Sequence, residues 1–125
     1  MKRSSSIALT LCAAFVSIVA VPTSAQDKID KPVKILVGFP PGGTADIMAR
    51  AVADKMKDSL GQPVIVENRP GAIGRIAADA VKAAAPDGST IMVMPIGPMA
   101  VVPHTYKTLS YDPMKDFAPI GMGST

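Results

Sequence analysis

Gly42-Gly43-Thr44-Ala45-Asp46 is the segment of this 125-residue sequence best suited to chemistry. Two glycines let the backbone come close to another molecule, and Thr44 reads as the N-cap of a following helix. The unpaired N–H groups of a helix start, aligned with its dipole, attract carboxylate or phosphate. Asp46 falls in the first turn, either facing a ligand or balancing the dipole and capping the helix. The run has neither the G-x-G-x-x-G spacing of dinucleotide sites nor the Gly-Lys of a P-loop, which disfavours nucleotides. Asn68, Arg69 and Arg75 surround a second glycine-bearing loop. The arginines could pair with a carboxylate or be solvated surface cations, and Asn68 could bond a ligand or fix its own loop. Pro95-Ile96-Gly97-Pro98 forms a third such loop.

His104 is the only histidine, and Cys12 is the only cysteine. A single histidine cannot build a multi-histidine metal site. Catalysis by His104 would need an orienting partner and a nucleophile, yet no serine sits in a G-x-S-x-G elbow. No catalytic residue, metal ligand or cofactor is therefore assigned. Met92, Met94 and Met99 read as core or cleft wall, and Tyr106, Tyr111 and Phe117 as packing around proline-rich turns.

The elements that must carry these loops follow from periodicity. Val33–Phe39 is an almost uninterrupted apolar run, as expected of a strand covered on both faces. Thr44–Leu60 has helical period, with Met48, Val52, Met56 and Leu60 on an apolar side, Ile47 and Ala51 beside them, and Gly61 at the C-terminus. Pro63–Glu67 is a second strand, Arg75–Ala85 an alanine-rich helix with Ile76, Ala80, Val81 and Ala84 on one side, and Thr90–Met94 a third strand. The order βαβαβ gives a parallel sheet, whose ligands bind beyond the carboxyl ends of the strands. Pro98, Pro103, Pro113 and Pro119 argue against long elements downstream, although Phe117–Gly121 suits the start of another strand. Three parallel strands make a poor stand-alone core, so the chain reads as the front of a longer protein.

The N-terminus reads as a leader. Lys2 and Arg3 precede the apolar run Ile7–Val21, Pro22 breaks it, and Thr23-Ser24-Ala25 supplies small residues before Gln26. That is the three-part pattern of a cleaved secretory signal, and the run is shorter than the roughly 20 residues of a membrane span. Thr10-Leu11 before Cys12 disfavours lipidation, and cleavage would leave a chain without cysteine and so without a disulfide. The formal charge is +3; without Lys2 and Arg3, eleven Lys and Arg face ten Asp and Glu. The basic residues are also dispersed, which argues against nucleic acid as a partner. The apolar share of 48% argues against disorder.

Four segments carry a resemblance. Ile35-Leu36-Val37-Gly38-Phe39-Pro40-Pro41-Gly42-Gly43-Thr44-Ala45-Asp46 closely matches one family signature. Gly61-Gln62-Pro63-Val64-Ile65-Val66-Glu67-Asn68-Arg69-Pro70-Gly71-Ala72 is similar to a second. Ala85-Pro86-Asp87-Gly88 and Tyr111-Asp112-Pro113-Met114-Lys115-Asp116-Phe117-Ala118-Pro119-Ile120 add two more. With the export signal, the chain resembles the N-terminal part of the substrate-binding receptors of tripartite tricarboxylate transporters, the Bug-type receptors.

The resemblance implies an α/β, periplasmic binding protein-like (type II-like) fold, of which this chain supplies a partial first lobe with a parallel βαβαβ sheet. It implies small organic carboxylate ligands, membrane transporter subunits as partners, no enzymatic activity, and capture by closure of a second lobe. It maps ligand contacts to Pro41, Gly42, Gly43, Thr44, Ala45 and Asp46, and to Pro95, Ile96, Gly97 and Pro98. The expected division is a signal peptide at 1–25, the partial first lobe at 26–108, and the start of a crossover toward a second lobe at 109–125. Departures from the pattern are Ile73 in place of glycine, Arg75 where small or polar residues are common, Ser89 in place of an aromatic, and Pro95-Ile96-Gly97-Pro98 where small hydroxylated residues are frequent. Two other readings stay open: a secreted α/β hydrolase-like enzyme using His104 with a serine, and an inactive truncated piece of a receptor.

Overall fold

A computed structural model describes residues 29–123. The expected leader at 1–25 lies outside them. The chain runs β1 (Val33–Val37), α1 (Thr44–Leu60), β2 (Val64–Asn68), a 3₁₀ turn (Ala72–Gly74), α2 (Arg75–Lys82), β3 (Thr90–Val93), a π-helical turn (Gly97–Val101) and α3 (Val102–Thr105). The strands form one sheet in the order β2-β1-β3. Both pairings are parallel, with Val33 opposite Val64 and Lys34 opposite Thr90.

The central position of β1 explains its composition. Val33, Ile35 and Val37 have no exposed surface, and Leu36 almost none. Ile35 and Val37 pack with Ala49 and Ala53 of α1, flanked by Val64, Val66, Ile91 and Val93 from the edge strands. Strand alternation turns Leu36 to the other face, the side of α2 with its buried Ala77 and Ala78. Burying each valine, leucine or isoleucine contributes about 1.5–3 kcal/mol, so this short strand holds much of the core.

The limits of α1 agree with the periodicity, but its buried face does not. Asp46, Ala49 and Ala53 are buried, whereas Ile47 and Val52 are exposed and Met48 is half-buried. Alanines let the helix axis approach the sheet more closely than the four-residue Met/Val stripe would. In α2 the inward residues are likewise Ala77 and Ala78, while Ile76 is about half exposed. Gly43, not Thr44, is the N-cap of α1, and Thr44 is its first helical residue. Gly61 ends the helix in the left-handed region at φ 65°, its N–H donating to Lys57 C=O.

Two further features lie downstream, short helical elements that the prolines permit and a missing strand. Residues 97–105 are helical although they contain Pro98 and Pro103. Each proline stands in the first turn of its element, where no helical N–H bond is lost. Phe117–Gly121 forms no strand. Instead Asp112–Asp116 folds into a turn in which the Met114 N–H donates to Asp112 and the Asp112 N–H to Asp116. Lys82 ties that turn to α2 through Asp116 and Ser110 C=O. Tyr111 is buried there against Phe117.

Candidate functional site

β1 and β3 are adjacent and parallel, so the loops that follow them leave the same edge of the sheet. The loop after β2 leaves it too. In the first loop Pro41, Gly42, Gly43 and Thr44 are exposed, Ala45 is half-buried and Asp46 is buried. Gly42 turns the chain at φ 82°, a conformation open to glycine, and a side chain there would meet nothing within 4 Å. The helical bonding of α1 starts with the Ile47 N–H, which donates to Gly43 C=O at 3.0 Å. The amides of Thr44 and Ala45 precede it and have no helical partner.

Asp46 holds this arrangement. Gly42 N–H donates to its Oδ2 at 2.9 Å. Arg50 Nε donates to Oδ2 at 3.0 Å and Nη2 to Oδ1 at 2.9 Å. Asn68 Nδ2 donates to Oδ1 at 2.9 Å and also to Phe39 C=O at 3.1 Å. The Arg50 guanidinium, followed by the Gly42 amide and Asn68, holds the Asp46 carboxyl well below the usual carboxylate range. A carboxylate so engaged keeps its charge inside the scaffold. Arg50 neutralises it and leaves the amides above it free to meet an anion. The sequence offered Asp46 as a ligand contact or a helix-end residue; its oxygens are directed at loop, helix and β2 at once. Asn68 joins strand to loop rather than pointing away from them.

The third loop is placed differently. Pro95 and Ile96 are exposed, Gly97 is half-buried and Pro98 is buried. Tyr111 Oη donates to Pro98 C=O at 2.7 Å, an anchor that the sequence did not reveal. Burial pushes the Tyr111 phenol up.

Of the two arginines around the second loop, Arg69 pairs with Glu67 at 2.8 Å. Arg75 lies over the Tyr106 ring, its guanidinium carbon 5.3 Å from the ring centre. Ile73 takes φ 58° and ψ 41° in the turn between them. His104 is exposed in α3, and Met92, Met94 and Met99 are half-buried. Among the described residues no group of His, Cys, Asp and Glu is arranged to hold a metal ion. Surface hollows occur beside Arg50 and Asp54, and between Lys82 and the 103–116 segment. Neither is formed by the first or third loop.

A parallel α/β sheet with glycine-bearing loops and a helix start on one edge is the arrangement in which α/β proteins bind small anions. The comparisons carry this further. The family model described as "Tripartite tricarboxylate transporter family receptor" matches residues 48–124, and the chain belongs to that family. BugT of Bordetella pertussis is 41% identical over 105 residues, covering 83% of this chain and 32% of its own length. The chain thus spans about a third of the length of the curated relatives it matches. The structure of the periplasmic binding protein BugD aligns with a TM-score of 0.69 at 41% identity, over 74% of this chain and 30% of that one. MatC from Rhodopseudomonas palustris, solved with bound malate, aligns at 0.68 and 40%, over 72% and 31%. The family is one of solute-binding receptors, and the hydrolase reading built on His104 falls with that finding.

Proposed function

We propose that this chain forms the first lobe of a periplasmic receptor that captures a small organic carboxylate for a tripartite tricarboxylate-type transporter. The observation that carries the reading is the first loop. Asp46 is neutralised by Arg50 and holds Gly42, while the amides of Gly43, Thr44 and Ala45 stay available at the helix start. Pro95, Ile96, Gly97 and Pro98 line the neighbouring part of the same edge. Residues 1–25 act as the cleaved export signal, residues 26–108 form the lobe, and residues 109–125 lead toward a second lobe. The ligand carboxylate docks on the amides, a second lobe closes over it by hinge motion, and membrane subunits recognise the closed form. Membership of a receptor family and a malate-bound structure among the related proteins support this reading.

Gly43→Val tests it. Gly43 has φ −76° and ψ 167°, which any residue adopts, and its added Cβ would meet only Pro40 C=O, at 3.6 Å. The variant should keep its fold, losing about 1 kcal/mol at most for valine at an N-cap, but bind carboxylates at least tenfold more weakly as its side chain crowds the amides. Calorimetric titration with a carboxylate panel reads this. Unchanged affinity removes the loop from the site.

A further inference from the structure

The structure carries one cation whose placement neither the fold nor the loop network explains. Arg50 is consumed by Asp46 and Asn68, and Arg69 by Glu67. The Arg75 side chain makes no ion pair or hydrogen bond among the described residues. Its Nε is fully buried without a partner. The guanidinium carbon lies 5.3 Å from the centre of the Tyr106 ring, a cation–π contact that restrains the side chain. Only Nε among its nitrogens is both buried and unpartnered, so the terminal nitrogens stay within reach of solvent. A donor taken from water without an acceptor is costly, and a cationic one especially so. A guanidinium restrained by an aromatic ring and left with an unpartnered donor suits a planar bidentate acceptor, and a carboxylate is that acceptor.

Its position fits such a role. Arg75 opens α2 directly after the second loop, at the sheet edge that carries the first and third loops. Tyr106 follows α3 directly, and α3 continues from the turn after β3. The pair therefore joins the start of α2, next to the second loop, to the segment that follows the third loop and α3.

We propose that Arg75 is a specificity-determining residue that binds the second carboxylate of an α,ω-dicarboxylate. This rests on the reading above, in which the first carboxylate sits on the amides of the first loop. Tyr106 is the positioning residue that restrains the guanidinium.

The test compares succinate, glutarate and adipate with butanoate, pentanoate and hexanoate by calorimetric titration of the chain. The quantity read is the ratio of dicarboxylate to length-matched monocarboxylate affinity. It should exceed about tenfold for one dicarboxylate length, as expected for a charge-assisted fork. Arg75→Gln should bring the ratio close to one, and Arg75→Lys should leave an intermediate value. Tyr106→Leu should lower the ratio while Arg75 stays in place, an effect that a role in stability alone does not produce. Circular dichroism checks each variant for folding. Should Arg75→Gln not fold, the lysine and Tyr106 variants carry the test. A parent without dicarboxylate preference, or a ratio unmoved by these variants, overturns the assignment. Failure of the loop reading looks different: no carboxylate of either class binds, or Gly43→Val leaves both classes unaffected.

Discussion

Ile73 is a β-branched residue in the left-handed region, with φ 58° and ψ 41°, and its side chain is about half exposed. That conformation costs an L-residue about 1–2 kcal/mol, and glycine avoids the clash behind it. Ile73→Gly should therefore raise the unfolding free energy by up to about 1 kcal/mol once the added freedom of the unfolded glycine is subtracted. Urea titration checks this, and a loss of stability would mean that the isoleucine earns its place through contacts. Asp46 shows the opposite economy. Its carboxylate joins a glycine amide, an arginine of its own helix and an asparagine twenty-two positions away. Asp46→Asn should lower the melting temperature at neutral pH and loosen the first loop.

At the scale of elements, Gly38, just past β1, lies against the turn before α2. A Cβ built there would stand 2.7 Å from Gly74 Cα, a contact with backbone that no rotamer relieves. Gly38→Ala should cost about 1–3 kcal/mol through overpacking, and its melting curve reads the loss directly. The element limits were legible because they are local: Gly61 and the period of Thr44–Leu60 mark α1, and the apolar run of Val33–Val37 marks a two-sided strand. The inward face of α1 was not legible. Hydrophobicity favours the Met48 and Val52 stripe, whereas packing on a sheet favours Ala49 and Ala53. The candidate site divides in the same way. Its loops follow from strand ends, but the Asp46–Asn68 and Tyr111–Pro98 bonds join distant parts of the chain and leave no periodic trace.

Among the described residues, four aspartates are held below their ordinary range. Arg50 does this for Asp46, Lys31 for Asp87, Lys115 for Asp112 and Lys82 for Asp116. A carboxylate with a lowered folded pKa stabilises the fold above its unfolded value, near 3.8, and loses that contribution as pH falls through the folded value. The melting temperature should therefore drop on acidification from about pH 5 toward pH 2. The Lys31–Asp87 and Lys115–Asp112 pairs are exposed and screened by water, so they contribute little. Asp46 alone has a nearly inaccessible side chain, and Asp46→Asn should flatten most of the acid slope; an unchanged slope would assign it to the surface pairs. The strand order has a kinetic consequence. The hub strand comes first in the sequence, and both of its neighbours reach it only across an intervening helix, with Lys34 waiting for Thr90. No hairpin can seed such a sheet, so refolding should show a late, loop-closure-limited phase in which β1 finds its last edge.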